Sequence, residues 1–378
     1  MMRIMWIPAM LFSAMVALWI VVGVNVYVAA RVYQWLRLVF SKLRLKVFVV
    51  AYACVAVIMI VSFLPLRATL GWIGGVGTGL FLYLLMMIVV VDLVVLVGRL
   101  VRLVPKPVPA AVRLASGLVA AVTALSLVGY GLYNVHQVHH VAYDVTIDDA
   151  EFAGMRIVMI SDLHLGAAGS EANLARVVTE VNAAKPDLVC IVGDTFNDSY
   201  NDIKDPGRAI ELFASINSTY GTYASLGNHD AGPTLDKMIG LLDKAGVVLL
   251  TEEHVVIDDR LVLVGRADRS WADAPDRKPT STVLAGLDPA LPVVVMDHNP
   301  SNITDYDTSV DLIVCGHTHR GQFFPVNIMT MLSYPIDYGH RTRAPQVIVT
   351  SGAGTWGIPL RIGSNSEVVT INVHGTGH

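Results

Sequence analysis

The chain has 378 residues, room for two domains of ordinary size, and its 54% hydrophobic content with a mean hydropathy of +0.56 excludes an ordinary soluble globular protein. Charge is segregated: up to His140 eleven Lys+Arg face one acidic residue, Asp92, for a net of +10, whereas the remainder holds 16 Lys+Arg and 30 Asp+Glu, a net of −14. The acidic remainder excludes nucleic acid as the main partner, because neutralising a phosphate backbone needs dense Lys/Arg.

A membrane-crossing helix needs roughly 20 predominantly apolar residues. Four stretches qualify, about Met5–Ala29, Val47–Pro65, Gly75–Gly98 and Val112–Asn134. The first is long, lacks a small-residue cleavage site and is soon followed by a second apolar run, so it reads as a span rather than a signal peptide. Arg31, Arg37, Lys42, Arg44 and Lys46 lie between the first two runs, and Arg99, Arg102, Lys106 and Arg113 between the last two. The positive-inside bias makes these loops cytoplasmic and turns the C-terminal part outward. Localisation is therefore read as a multi-pass cell (inner) membrane protein with an extracytoplasmic domain. Asp92 lies near the cytoplasmic end of its run, with Arg99 two turns on, and reads as an interfacial carboxylate. Residues 136–153, with His136, His139 and His140, read as a juxtamembrane linker between a segment at 1–135 and a domain at 154–378.

From Met155 the pattern changes to short β-rich runs with helical ones between. Arg156–Ile160 is predicted as a buried strand, a helix runs from Ser170 to about Ala184, and Leu188–Val192 is a second strand. A helix around Ala209–Ile216 precedes a strand at Tyr223–Leu226. A helix near Leu235–Ala245 leads to Val247–Leu250, and Val255–Ile257 with Leu261–Val264 form a hairpin. Val293–Met296, Leu312–Val314, Gln346–Thr350 and Val368–Val373 are later strands. Alternation early and bare strands later predict an α/β layered domain. The three cysteines, Cys54, Cys190 and Cys315, read as buried small hydrophobes, a Cys190–Cys315 bridge being the alternative.

Polar clusters follow five of those strands. Asp162 and His164 follow the first, Asp194 the second, and Asn228, His229 and Asp230 the third. His298 follows Val293–Met296, and His317 and His319 follow Leu312–Val314. Strand ends converge on one edge of a layered α/β fold, so these clusters are expected to meet. Together they supply carboxylate, amide and imidazole donors without thiolate, a set suited to divalent Mn, Fe or Zn and in excess of what one ion needs.

The order D-x-H, G-D, G-N-H-D, H, G-H-x-H resembles the calcineurin-like metallophosphoesterase superfamily. It is similar in particular to the bacterial membrane-associated branch, where Gly-His-Thr-His leads into Gly321-Gln322 and the chain ends in a glycine-rich turn, here Ser351–Gly354, with Pro359-Leu-Arg361 following. The resemblance implies an αββα sandwich from about Gly154 to Val373. It also implies two divalent metal ions, one on Asp162, His164, Asp194 and His319 and the other on Asp194, Asn228, His298 and His317, with Asp194 bridging. His229 matches the histidine that protonates the leaving oxygen. Relatives often carry an aspartate three residues after the bridging one to orient that histidine; here Asn197 stands there, so either Asp198 or Asp230 takes the role or His229 is less strongly polarised. Arg320 stands where the branch often has glycine, and is either a substrate-phosphate contact or a solvated surface arginine.

The expected protein is thus a membrane-anchored, dinuclear metal-dependent hydrolase of a phosphodiester, pyrophosphate or phosphomonoester bond. Four spans exceed what anchoring needs, which suggests a lipid-linked or envelope phosphate ester as substrate, although such helices also suit oligomerisation. The alternative is a phosphatase of soluble nucleotides or phosphoproteins. A transporter or sensor is disfavoured, because the spans carry only Asp92 and scattered Ser, Thr and Asn as polar lining.

Overall fold

The computed structural model describes residues 6–62, 68–149, 152, 154–167, 170–268 and 277–376. The ends of the first two expected spans, at Met5 and at 63–65, lie outside the described residues. The chain divides into two compact units, one of Met1–Pro65 and Ile73–Gly129, the other of Leu66–Trp72 and Tyr130–His378.

Four helices open the chain: α1 (Trp6–Val39), α2 (Leu45–Ser62), α3 (Ala68–Leu100) and α4 (Ala110–Val135). Among the described residues, Gly71–Leu100 and Ala110–Val135 are long and apolar enough to cross a bilayer, with mean hydropathies of 3.0 and 1.9 in their most apolar stretches; Leu45–Val61 is a shorter apolar helix. Their exposed residues include Leu93, Val94 and Val97 on α3 and Leu118, Val122 and Leu125 on α4. Apolar side chains on the outside of a helical unit belong against lipid rather than water. Asp92 accepts hydrogen bonds from the Tyr27 hydroxyl (2.5 Å) and from Arg31 Nε (2.7 Å) and Nη2 (2.6 Å) on α1. Its cation is therefore across the helix pair, and not Arg99 on its own helix.

The second unit carries β1 (Val138–Ile147), β2 (Met155–Ile160), α5 (Ser170–Ala183), β3 (Leu188–Val192), α6 (Pro206–Ala214), β4 (Thr222–Ser225), α7 (Leu235–Lys244) and β5 (Val247–Leu249). The hairpin β6 (Glu253–Ile257) and β7 (Leu261–Gly265) follows, then α8 (Thr280–Val283), β8 (Val293–Met296) and β9 (Leu312–Cys315). The chain closes with α9 (Val326–Ser333), β10 (Gly339–Arg341), β11 (Gln346–Val349) and β12 (Ser366–Gly375). Two six-stranded sheets result, ordered β1-β12-β2-β3-β4-β5 and β10-β11-β9-β8-β7-β6.

The sheets face each other across one apolar layer, with Ile157, Met159, Leu188 and Val192 meeting Leu263, Val294, Met296 and Val314. The outer face of the first sheet is covered by α5, α6 and α7 through Leu174, Val177, Phe213, Met238 and Leu241. Among the described residues the second sheet has no such helical layer: Val283 of α8, Ile303 of a 3₁₀ turn at Pro300–Asp305 and Tyr306 after it cover it. The fold is thus the expected mixed α/β pair of sheets, more heavily clad on one side. β2, β3 and β4 are parallel neighbours, as are β7, β8 and β9, so each set delivers its following loops to one edge.

One expectation changes. Residues 138–147, read as part of a linker, form a ten-residue edge strand paired in parallel with β12, from Val138 opposite Ser366 to Ile147 opposite Gly375. Val141, Tyr143, Val145 and Ile147 alternate along it, and Val145 and Ile147 enter the layer between the sheets. The three histidines that precede and open this run masked its period-two pattern. Cys190 and Cys315 are both buried and free, Cys190 in the inter-sheet layer and Cys315 on the other face of the second sheet, so they form no bridge.

One buried ion pair ties β7 to the turn before β6. Arg266 Nε donates to Glu252 Oε1 (3.0 Å), and Arg266 also donates to Thr280, Tyr306 and the Lys278 carbonyl. Both residues are buried, so removing the cation leaves an uncompensated carboxylate. Arg266→Met is expected to cost about 3–5 kcal/mol. A thermal melt of the detergent-purified chain checks this, and an unchanged midpoint would refute it.

Candidate metal centre

All five expected clusters occupy loops that leave the ends of parallel strands. Asp162 and His164 follow β2, Asp194 follows β3 and Asn228, His229 and Asp230 follow β4; His298 follows β8, and His317 and His319 follow β9. The chain turns at once, with positive φ at Asp162 (55°), His164 (50°), Asp194 (50°), His317 (70°) and His319 (49°). The neighbouring glycines make room. Gly193 has φ +70°, and a Cβ there would lie 2.5 Å from His298 Nδ1, so only glycine lets that imidazole approach.

Two groups of donors form, each with ligand atoms within 4.8 Å of one another: Asp162, His164 and His319, and Asp194, His298 and His317. A third set, His164, Asp194 and His229, shares His164 with the first group and Asp194 with the second. His164 Nε2 and His319 Nε2 are 3.1 Å apart. His298 Nε2 lies 3.1 Å from Asp194 Oδ2, and its Nδ1 donates to the Val192 carbonyl (2.9 Å), which directs Nε2 inward. Asn228 Oδ1 is 2.6 Å from His317 Nδ1, and Asp162 accepts the His317 N–H (3.0 Å). All seven residues expected as metal ligands are thereby brought together.

The electrostatics suit a cation. Burial lowers His164 to about 3 and His317 to about 4, and holds His319 well below its usual range, so these imidazoles keep their lone pairs. Burial also pushes Asp162 up to about 6, helped by the charge of Asp194. Burial opposes ionisation of Asp194 as well, but His298, His164 and His229 outweigh it and hold it below the usual carboxylate range. At His298 burial is outweighed by Asp194 and Asp162, so without metal the ring retains a proton between two carboxylates. A divalent ion answers that same negative charge and would take the place of the His298 proton between Asp194 and Asp162. The donor set fits divalent metal.

His229 sits at the rim, edge-on to His164 with ring centroids 5.0 Å apart. Its Nδ1 is 2.7 Å from Asp198 Oδ1, and its backbone N–H donates to Asp194 Oδ1 (2.8 Å). Burial lowers its pKa, but the Asp198 hydrogen bond and the charges of Asp194 and Asp198 outweigh this and raise it. Asp198 reaches the ring because its own φ is 63° and the Ser199 N–H folds back on the Asn197 carbonyl (2.8 Å), which offsets the one-residue shift from Asn197. Asp230 does a different job. Its carboxylate accepts the N–H groups of Thr195 (3.2 Å), Phe196 (2.7 Å) and Gly227 (2.9 Å), clamping the loops after β3 and β4 together. Arg320 lies over the Tyr338 ring, its Cζ 4.2 Å from the centroid.

Several residues of the site escaped the sequence reading. Arg361 is fully buried and donates to the carbonyls of His319 (3.2 Å), Gly352 (3.2 Å) and Gly354 (2.6 Å), bracing the loop of His319. Asp297 is held by Arg277 (2.5 Å), Tyr306 (2.6 Å) and Asn302 (3.0 Å), which fixes the turn that carries His298. Trp356 approaches His229 and Tyr334 approaches His317, at ring separations of 5.7 and 5.8 Å. Only Asp297, beside His298 after a strand, carried a local signal.

Residues 155–321 match the family model described as calcineurin-like phosphoesterase. An uncharacterized metallophosphoesterase of Campylobacter jejuni is 33% identical over 236 residues, 58% of this chain and 59% of that protein. A transmembrane protein with metallophosphoesterase domain from Danio rerio is 30% identical over 298 residues, 72% of this chain and 67% of that protein. An uncharacterized metallophosphoesterase of Aquifex aeolicus is 31% identical over 229 residues, 59% of this chain and 87% of its own length. The chain therefore spans about three fifths of the Campylobacter relative and two thirds of the zebrafish one. With the family's sequence pattern matched and its donors gathered at one sheet edge, the chain belongs to the calcineurin-like metallophosphoesterases, a family of metal-dependent phosphoesterases.

Proposed function

We propose that this chain is a membrane-anchored, dinuclear phosphoesterase, and the observation that carries the reading is the pair of donor groups linked through His164 and Asp194. One ion would be held by Asp162, His164, Asp194 and His319, the other by Asp194, Asn228, His298 and His317. Nitrogen and oxygen donors without thiolate suit Mn, Fe or Zn. Two bound ions would supply an activated water and charge neutralisation on the phosphoryl oxygens. The protein's part is to fix seven donors before substrate arrives and to hold a proton at His229. With Nδ1 engaged by Asp198, the Nε2–H of His229 is the proton available to a leaving oxygen as its bond to phosphorus breaks. Asp198 is the positioning residue; Asp230 supports the loops beneath it.

The helices α1 to α4 are proposed as four spans, with the basic loops cytoplasmic and the catalytic unit on the extracytoplasmic side. One surface beside the site favours a lipid-linked phosphate ester over a soluble one. Helix α9 buries none of its residues, and Ile328, Met329, Met331 and Leu332 stand exposed, with Phe324 before them and Trp356 beside His229. An apolar lip at a polar metal centre suits a substrate with one charged and one acyl end.

Hydrolysis of a chromogenic phosphodiester by the detergent-purified chain tests the reaction class. Asp194→Asn is expected to lose metal and activity together. His229→Ala keeps the metal and loses about 10²–10⁴-fold in kcat. Asp198→Asn keeps the metal and loses on the order of tenfold. A metal-loaded wild type inert to mono-, di- and pyrophosphate esters would refute the reading.

The lip is tested separately, with a long-chain phosphate ester in micelles and its short-chain soluble analogue. Met329→Ser with Leu332→Ser should raise KM for the first and leave the second unchanged. Equal effects on both, or a preference for nucleotides, would favour the soluble-substrate alternative.

A further inference from the structure

Away from the metal centre, the helical unit contains a cavity of about 340 Å³ at the end where its basic loops lie. Arg31 from α1, Asp92 and Arg99 from α3, and Arg113 and Ser116 from α4 line it. Charge within it does not balance. The one carboxylate, Asp92, is taken by Arg31 and Tyr27, and Arg31 Nη1 is further bound to Gln34 Oε1 (3.0 Å). Among the described residues no carboxylate lies within salt-bridge distance of Arg99 or Arg113, and Arg99 Nε is buried without a hydrogen-bond partner. Two guanidinium charges therefore face a cleft between apolar helices with nothing in the protein to neutralise them. Arg99 is half-buried, with its Nε unpartnered, and Arg113 is exposed at the rim, so both guanidinium groups are open to an anion that enters the cleft.

We propose that this cavity is a binding site for the phosphate of an anionic phospholipid headgroup. Arginine pairs recognise phosphate through planar forks of N–H donors, and the Ser116 hydroxyl adds a further donor. The opposite wall is apolar, formed by Trp35, Val95, Leu96 and Val108. A free phosphate would use only the arginines, whereas a headgroup with its glycerol and the first methylenes of its chains would use both walls. On α3 the residues next to this wall, Leu93, Val97 and Leu100, are exposed, which leaves an open apolar path for acyl chains. Basic clefts between membrane helices at the loop end are the form in which anionic headgroups are held. The Asp92–Arg31 pair then has a defined role. It orients Arg31 and leaves the site a net charge of about +2, enough for one phosphodiester and a further anionic group or water.

The test uses the full chain in detergent micelles and in nanodiscs. The probes are dioleoyl phosphatidylglycerol, dioleoyl phosphatidylcholine and inorganic phosphate. Phosphatidylglycerol is expected to raise the melting temperature and to remain bound in native mass spectrometry, while phosphatidylcholine and millimolar phosphate do neither. Arg99→Gln with Arg113→Gln should bind phosphatidylglycerol roughly thirty-fold more weakly, with unchanged metal content and diester hydrolysis. Arg99→Lys with Arg113→Lys, which keeps both charges but not the planar forks, should bind phosphatidylglycerol more tightly than the glutamine variant and more weakly than wild type, and controls for folding. Retention of phosphatidylglycerol by the glutamine variant, or no preference over phosphatidylcholine, would overturn the site. Stabilisation of the wild type by inorganic phosphate to the same degree would overturn the lipid as its occupant.

Discussion

Five of the seven side chains at the metal centre sit on residues forced into the left-handed backbone region, and the rest of the catalytic unit follows from that constraint. A left-handed conformation costs an ordinary residue roughly 1–2 kcal/mol, so five of them together are tolerated only where the surroundings over-determine them. Here the surroundings are buried strands on one side and glycines without Cβ on the other. Gly193 admits His298, and Arg361 and Asp230 fasten the loops that would otherwise relax. The strain is what allows donors from five strands to point at one small volume. It also explains why imidazoles and carboxylates are buried together in an arrangement that is unfavourable for each alone.

The two units obey different solvents. In the catalytic unit the central strands β2, β3, β7, β8 and β9 are apolar and largely buried between the sheets or under helices, and charge appears at loops and in closed pairs such as Arg266 with Glu252. In the helical unit many large apolar residues face outward, and Arg31, Asp92, Arg99 and Arg113 gather in one cleft at the end with the basic loops. Each unit would be unstable in the other's surroundings: outward leucines are costly in water, and an unpaired guanidinium is costly in lipid. The Asp92–Arg31–Tyr27 network is how the helical unit carries its single acidic residue.

The metal centre and the apolar lip divide the work of recognition. The buried donors can hold hard charge but offer no discrimination between one phosphate ester and another. In the proposed reading, discrimination falls to what stands around them: Trp356 beside His229, Tyr334 beside His317, and the exposed residues of α9. These lie on late, irregular segments, where a family with one reaction centre can vary its substrates without disturbing the strained loops.

The sequence by itself determined the reaction centre to a large extent. Each donor follows directly after a short, fully buried β-rich run, and strand ends in a parallel sheet share an edge whatever the loops do, so order along the chain was enough to anticipate convergence. It also determined the four helices, because long apolar runs admit few alternatives. The tertiary structure decided what depends on partners far along the chain. β1 is a strand only because β12, more than two hundred residues later, supplies its hydrogen bonds. Asp198 rather than Asp230 meets His229 because a tight turn moves it by one position, and Asp230 is drawn instead to three amide groups from two loops. Arg361 belongs to a run, Pro359-Leu-Arg361, that the resemblance marked without a role, and its role exists only where the loop of His319 passes over it. Local sequence encodes periodicity and donor chemistry; which carboxylate or guanidinium reaches which loop is set by contacts between residues distant in the chain, and only the folded structure contains those.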